Sequence, residues 1–529
     1  MEQKKQNFLQ GTALLAAATM IVKLVGALYK VPLNAIIGEK GFGYFSTAYE
    51  IYNILLMIST AGLPVAMSRM ISESCSLEHY GQVRQVYATA KKIFLLLGIV
   101  GSLLMTVFCK PLAKFWNQPD AWAAIGFLGP CVFLICIMSA YRGFFQGQSN
   151  MLPTAVSQVL EVITKLIVGM AAAIILLKAT GEISLAAGGA ILGVTASCLV
   201  SSVYLGAHFR KSYRQLPQAA DAPKSFSSTA RDLMRIAVPI TVSSTILSII
   251  TSLSSKIYMG RLLASGITQA EADTMRGIHV MTQTIYNMPC AFITPITVSI
   301  IPAITAQITL KKYRETRLTE ESAIRVTGIF AMPCAVGLIC LAEPITALLG
   351  GYTGEKLALA AKMMTVLGIS VVFNALVLVS TAIMQAHGNV HQPVVNMLIG
   401  GIIKLILVYF LTGNPEIGIV GTPIGTLTSY VVICLLNFYS IRRTVSEPPR
   451  VLVNLIRPLL AALSMGVVVW IAWHLLTVAG ISSRVLLAGI PVAVGCAVYV
   501  LAAILLKVIT REDCLLLPKG EKIAKILKL

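Results

Sequence analysis

The chain has 529 residues, 56% of them hydrophobic and only 12% charged. An ordinary soluble domain carries about 25% charged residues, so a soluble multidomain enzyme, a disordered chain and a nucleic-acid-binding protein are all poor fits. The 42 Lys and Arg against 22 Asp and Glu then read as basic loops held on the cytoplasmic side of a polytopic membrane protein.

In chain order the apolar runs are 9–37, 43–71, 84–109, 121–146, 153–177, 183–208, 233–262, 277–306, 323–349, 357–386, 392–412, 417–441, 451–478 and 484–508. At roughly 25 residues per span and its cap, these fourteen runs use about two thirds of the chain. The first run follows Lys4 and Lys5 but is too long for the apolar part of a cleavable signal, so it reads as the first span. Pro32, Pro64, Pro130, Pro239, Pro289, Pro295, Pro302, Pro333 and Pro423 fall in or beside the runs. Each removes a helical hydrogen bond, a loss tolerated where neighbouring helices or a cavity satisfy the freed group. Bending helices favour a transporter over an inert bundle.

With the N-terminus inside, roughly 28 Lys and Arg fall on the cytoplasmic side and 9 on the other, a clear positive-inside bias. Both termini come out cytoplasmic. The tail 509–529 ends in Lys519, Lys522, Lys525 and Lys528 among Ile and Leu, a pattern that suits either a surface amphipathic helix on anionic lipid or a frayed basic end.

The chain repeats itself. Ile51-Tyr52-Asn53 recurs as Ile285-Tyr286-Asn287, and Lys110-Pro111-Leu112 recurs more weakly as Glu343-Pro344-Ile345. Gln146 to Asn150, followed by Lys165-Leu166-Ile167, recurs as Gln385 to Asn389, followed by Lys404-Leu405-Ile406. Parallel repeats with a midplane site at their interface mark transporters. The expected division is an N-lobe 1–208, a basic cytoplasmic linker 209–232, a C-lobe 233–441, two extra spans within 442–508, and the tail.

Five basic residues lie inside spans, namely Lys23, Lys30, Lys165, Lys256 and Lys404, with two acids, Glu50 and Glu161. A charge at the bilayer centre costs about 2.5–3.5 kcal/mol on insertion scales, so five lipid-facing lysines would cost on the order of 12–17 kcal/mol. They must line a wet cavity or be paired. Lys23 and Lys30 share one face of span 1, with Gly26 and Ala27 between them. Gln158, Glu161 and Lys165 form a stripe on span 5, where Lys165 either lines a cavity or neutralises Glu161 four residues before it. Thr241, Thr245, Ser248, Ser252 and Lys256 form a longer stripe on span 7. Asn396 and Lys404 share a face of span 11. Glu50, three before Asn53, is a counter-ion to Lys23 or a ligand for a cation. The seven groups sum to a positive cavity, which attracts an anion.

Other chemistry is thin. The cysteines sit mostly in apolar runs without ligand spacing and read as small buried hydrophobes. His387 and His391 lack a third metal ligand nearby. No phosphate-binding glycine loop appears, so the chain is not expected to hydrolyse ATP.

The stretch Tyr141-Arg142-Gly143-Phe144-Phe145-Gln146-Gly147, then Met151-Leu152-Pro153-Thr154-Ala155-Val156-Ser157-Gln158-Val159-Leu160-Glu161, resembles the span 4–5 signature of polysaccharide-biosynthesis flippases. Gly62-Leu63-Pro64-Val65-Ala66-Met67-Ser68-Arg69, ending Ile71-Ser72-Glu73, resembles the end of span 2 in the branch that holds stage V sporulation protein B and the MurJ-type lipid II flippases. Gly11-Thr12, Gly26, Tyr29 and Pro32-Leu33 fit the same branch. The resemblance implies an all-α, MATE-like fold of two six-helix lobes plus two C-terminal helices, the latter associated with a groove for a lipid tail. It also implies a substrate carrying a pyrophosphate. Those relatives typically place arginines in the cavity, whereas the deep residues here are lysines, which bind phosphate as point charges.

The resulting expectation is a flippase, not an enzyme, in the bacterial cytoplasmic membrane. It moves an undecaprenyl-pyrophosphate-linked sugar, lipid II or a close relative, by alternating access. Lys23, Lys30, Lys165, Lys256 and Lys404, with Glu50, Glu161, Asn53 and Arg69, are the candidate site. No cofactor or nucleic acid is expected; the membrane potential, Na⁺ or H⁺ supplies coupling. Membrane lipids and cell-wall enzymes are the expected partners of a monomer. The runner-up is a MATE-type exporter of organic cations, which needs dominant acids in the cavity. A scaffold for cell-wall or spore-coat enzymes is a third reading.

Overall fold

The computed structural model describes residues 8–60, 62–148, 150–218, 221–389 and 391–508, and among them the chain forms sixteen α-helices, two 3-10 turns and no strand. Helices are the form in which an apolar segment satisfies its own backbone in lipid. Eleven stretches of the described residues are long and apolar enough to cross a membrane. The first, Leu28–Ser76, takes in parts of the two leading apolar runs. The basic tail 509–529 lies outside the described residues.

The chain divides into two compact units, Met1–Gly277 and Ile278–Leu529. Unit 1 opens with α1 (Phe8–Thr60), which is two helices broken at Gly38. Gly38 has φ 69°, a left-handed backbone that a Cβ disfavours, and it falls between the first two predicted spans. Then come α2 (Leu63–Ser76), α3 (Tyr80–Val107), the short α4 (Cys109–Phe115), a 3-10 turn at Pro119–Ala121, α5 (Trp122–Gly147), α6 (Leu152–Thr180), α7 (Ile183–Arg214) and α8 (Phe226–Ala264). The first turns of α9 (Gln269–Thr309) close the unit. Although the repeat counts α8 with the second half, α8 packs on α1, α2 and α3.

The 209–232 linker is fastened to α3. Asp221 accepts hydrogen bonds from the N–H groups of Gly81 (2.7 Å) and Gln82 (2.8 Å), so a residue 139 or 140 positions away satisfies the open first turn of the helix. A Cβ on Gly81 would come within 2.9 Å of Asp221. Desolvation raises the Asp221 carboxyl, but the backbone donors outweigh it and leave the group below its usual range. Arg84 donates to the Pro217 carbonyl at 3.2 Å, and Gln82 accepts from the Lys224 N–H at 2.8 Å.

Small residues bring α6 and α7 together. A Cβ on Gly193 would lie 2.3 Å from Gly169 Cα and 2.9 Å from the Lys165 carbonyl. The two backbones touch, as small residues permit between membrane helices. Gly193→Val is expected to lower stability by about 1–3 kcal/mol through overpacking and to shift Lys165. The check is the unfolding temperature of the detergent-purified chain. An unchanged value would show that α6 and α7 have slack.

Unit 2 holds the rest of α9, then α10 (Tyr313–Cys340), the short α11 (Ala342–Gly350), α12 (Gly354–Ala386), α13 (His391–Thr412), a 3-10 turn at Gly418–Val420, α14 (Gly421–Thr444), α15 (Val451–Val478) and α16 (Arg484–Leu505). The repeat is visible in the elements. α3 and α10 are each 28 residues long and begin 233 positions apart, at Tyr80 and Tyr313. Each is followed by a short helix carrying one copy of the proline motif, at Pro111 and Pro344. The core of the unit gathers Ile304, Ile324, Val379, Ile383, Ile433 and Ala462. α15 packs on α10 and α16, where Arg325 donates to Asn454 at 2.8 Å and Tyr499 donates to the Ile329 carbonyl at 2.8 Å.

Candidate functional site

The second half of α1 carries the site of unit 1. One helical face presents Tyr49 and Tyr52; another presents Glu50. Lys165, on α6, points at the first. Its ammonium donates to Tyr49 Oη at 3.4 Å and stands 5.6 Å from the ring centroids of both Tyr29 and Tyr49. Tyr29 is adjacent to Lys30, and the two lysines are close enough to act on each other electrostatically. Both are half-buried. Aromatic faces attract a cation without neutralising it.

The nearby acids are consumed elsewhere. Lys165 was expected either to line a cavity or to neutralise Glu161 four residues before it. Glu161 Oε2 pairs with Arg142 Nη2 at 3.0 Å, while Arg142 Nε donates to Ser157 Oγ at 3.1 Å. The reason is geometric: Arg142 on α5 stands opposite Glu161 on α6, and the guanidinium fork reaches two acceptors at once. Glu50 was expected to balance Lys23 or to hold a cation. Its Oε2 lies 3.0 Å from Arg276 Nη2, and Oε1 accepts from Ser255 Oγ at 2.8 Å. Among the described residues neither Lys30 nor Lys165 has an ion pair with a carboxylate.

Arg276 is the residue that the sequence did not single out. It reads as one of the outer-side basic residues, yet its side chain is 0% exposed. Its Nη1 donates to Tyr258 Oη at 2.7 Å. One turn earlier, Asp273 accepts from Tyr44 Oη (3.1 Å), Gln118 Nε2 (2.9 Å) and Gln269 Nε2 (2.7 Å), and Thr47 Oγ1 donates to Gln118 Oε1. The approach is tight: a Cβ on Gly277 would lie 1.9 Å from the Glu39 carbonyl oxygen. This polar network fastens the start of α9 to α1, the 3-10 turn and α8. The only signal in the sequence was an acid and an arginine three apart at a span edge.

The other expected residues are placed separately. The side chain of Lys23 lies outside the described residues. The Lys256 ammonium sits 3.2 Å from the Phe115 ring centroid at the end of α4. Asn53 is half-buried and Arg69 exposed; neither bonds to Lys30 or Lys165 among the described residues. Lys404 is in unit 2, half-buried on α13, with its stem against Gly425 of α14. On the same helix Asn396 donates to Asn437 at 2.8 Å, and Asn437 donates to Ser380 at 3.0 Å.

Unit 2 also contains a cavity of about 540 Å³ between α10, α11, α15 and α16. Phe330, Pro333, Leu338, Met465, Val469 and Val500 are among its walls, with Pro289 of α9 at one side.

Residues 8–308 match the sequence profile of the family described as polysaccharide biosynthesis protein, more than half of the chain. The chain belongs to the polysaccharide biosynthesis protein family. A second profile, MatE, matches residues 277–410. Three Bacillus subtilis relatives of this polysaccharide biosynthesis protein are the uncharacterized membrane protein YabM, stage V sporulation protein B and lipid II flippase MurJ. YabM is 26% identical over 99% of this chain and 97% of its own length. Stage V sporulation protein B is 26% identical, covering 82% and 83%. Lipid II flippase MurJ is 23% identical, covering 93% and 94%. Among solved structures, lipid II flippase MurJ in an inward closed conformation superposes with a TM-score of 0.70 at 14% identity, over 93% of this chain and 98% of that one. The fold is thus the all-α, MATE-like one that the sequence implied, and the chain is a multi-pass membrane flippase or transporter rather than an enzyme.

Proposed function

We propose that the chain flips a pyrophosphate-linked polyprenyl sugar, lipid II or a close relative, across the bacterial cytoplasmic membrane by alternating access. The observation that carries this reading is Lys165 beside the rings of Tyr29 and Tyr49, with Lys30 near enough to feel its charge and with Glu50 and Glu161 paired to Arg276 and Arg142. A site built on lysines favours a phosphate headgroup. It disfavours the organic cation of the runner-up reading, which needs acids that these arginines occupy. An inside-negative potential helps an anion outward by about 2.3 kcal/mol per charge at 100 mV. The test is complementation of a bacterium depleted of its lipid II flippase, with precursor exposure on the outer face as readout. Growth rescue without such exposure would point to the scaffold reading.

The apolar cavity of unit 2 supports a lipid-tailed substrate. Gly337 lines it, and a Cβ there meets nothing within 4 Å. Gly337→Phe therefore projects into the cavity from an unobstructed Cβ position. Flipping of the full polyprenyl substrate is expected to fall at least several-fold, while a short-chain analogue with the same headgroup is less affected. Equal losses on both would remove the cavity from tail binding.

A further inference from the structure

Two thiols meet inside unit 1. Cys131 on α5 and Cys198 on α7 are 67 positions apart in sequence, yet their sulfurs stand 3.3 Å from each other, and both side chains are 0% exposed. Read one at a time, each is a small buried hydrophobe; the packing of α5 on α7 makes them a pair. Both are free thiols. Cys131 Sγ also lies 3.9 Å from Tyr52 Oη and 4.0 Å from the Val194 carbonyl oxygen.

The separation favours a covalent bond over a shared metal. Two thiolates on one tetrahedral zinc stand about 3.8 Å apart, wider than this pair. Among the described residues, no group of three or more His, Cys, Asp and Glu side chains is placed to hold a metal ion. A disulfide sets its sulfurs about 2.05 Å apart, so about 1.3 Å has to close. The enclosure also sorts the reagents. Hydrogen peroxide is neutral and close to water in size, so it enters, slowly, where charged soluble thiols are kept out. A bond formed there persists.

The pair stands behind the lysine site. Tyr52, of the repeated Ile-Tyr-Asn motif, meets Tyr49 edge to face with ring centroids 5.7 Å apart, and Tyr49 Oη accepts from Lys165 at 3.4 Å. We propose that peroxide joins Cys131 and Cys198 in a disulfide that fixes α5 to α7 and slows transport. The bond rests on the geometry; its effect on transport rests on the flippase reading. One sulfur attacks the peroxide, forming an S–O bond as the O–O bond breaks and hydroxide leaves. The second sulfur attacks the first, forming the S–S bond and expelling the hydroxyl. The two thiol protons leave with these groups as two waters, so the thiols lose two electrons and the peroxide gains two. Cys131 then has no S–H to offer Tyr52 Oη, and the wall behind Tyr49 shifts as the sulfurs close.

The test treats the full chain in proteoliposomes with hydrogen peroxide and maps its cysteines by mass spectrometry of peptic fragments without reductant. The expected product joins the Cys131 and Cys198 fragments and is lighter than their sum by two hydrogens. Cys131→Ala and Cys198→Ala should each lose it. Flipping by the treated wild type should fall at least several-fold and return with dithiothreitol, a neutral thiol, whereas both variants should flip alike before and after peroxide. Sulfinic acid at either cysteine without the joined fragment, or no reaction at either, overturns the site. So does a zinc or copper ion retained by the wild type and lost from both variants. A joined fragment with unchanged flipping overturns the control of transport. A joined fragment from a chain that never flips when reduced overturns the flippase reading and upholds the bond.

Discussion

Exchanging Lys30 and Lys165 together for methionine is expected to reduce lipid flipping by two orders of magnitude or more, with the chain still folded. A hydrogen bond to a charged group contributes about 1.5–3 kcal/mol, so losing two at a phosphate removes about 3–6 kcal/mol of binding, and each 1.4 kcal/mol is tenfold. Folding should survive, because neither lysine closes an ion pair with a carboxylate among the described residues, and methionine at position 165 keeps a stem of similar volume beside Tyr29 and Tyr49. Lys165→Arg should retain much of the activity, since the charge persists. Flipping assayed with fluorescent precursor in proteoliposomes checks this, beside a thermal unfolding curve. Wild-type rates in the double variant would place the phosphate elsewhere.

The second large effect is on stability. Arg276→Met strips the buried Glu50 carboxylate of its cation, and breaking a buried pair from one side costs about 3–5 kcal/mol. Removing both members is expected to be far milder, because a buried pair contributes little net over an apolar replacement. Glu50→Leu with Arg276→Met should therefore recover most of the lost unfolding temperature. A double variant no more stable than Arg276→Met alone would mean that Arg276 acts chiefly through Tyr258, to which it donates at 2.7 Å.

The fold was largely legible because its signals are local. Eleven stretches of the described residues are long apolar segments, and the duplicated proline motif landed on two short helices, α4 and α11, after two helices of equal length. The break at Gly38 was legible as the gap between two runs, although its left-handed backbone was not. The partners of the charges were not legible, because they are set by packing between distant segments. Glu161 had a favourable local partner four residues on, yet tertiary structure offered it Arg142, whose two-pronged geometry also reaches Ser157. Arg276 lies 226 positions from Glu50 in sequence. A polar context beside a span edge looks the same whether the helix starts in solvent or is drawn into a neighbouring helix by a glycine such as Gly277, which leaves room for the Glu39 carbonyl. The cation surplus could be counted beforehand; which lysines keep it could not.

The most direct test is comparative binding of two lipids by the purified full chain, undecaprenyl pyrophosphate and uncharged undecaprenol, read by native mass spectrometry. The expected result is selective retention of the pyrophosphate lipid by the wild type and loss of that preference when Lys30 and Lys165 are both methionine. Equal retention of the two lipids by the wild type, or a preference unchanged in the double variant, would contradict a phosphate-reading lysine pair.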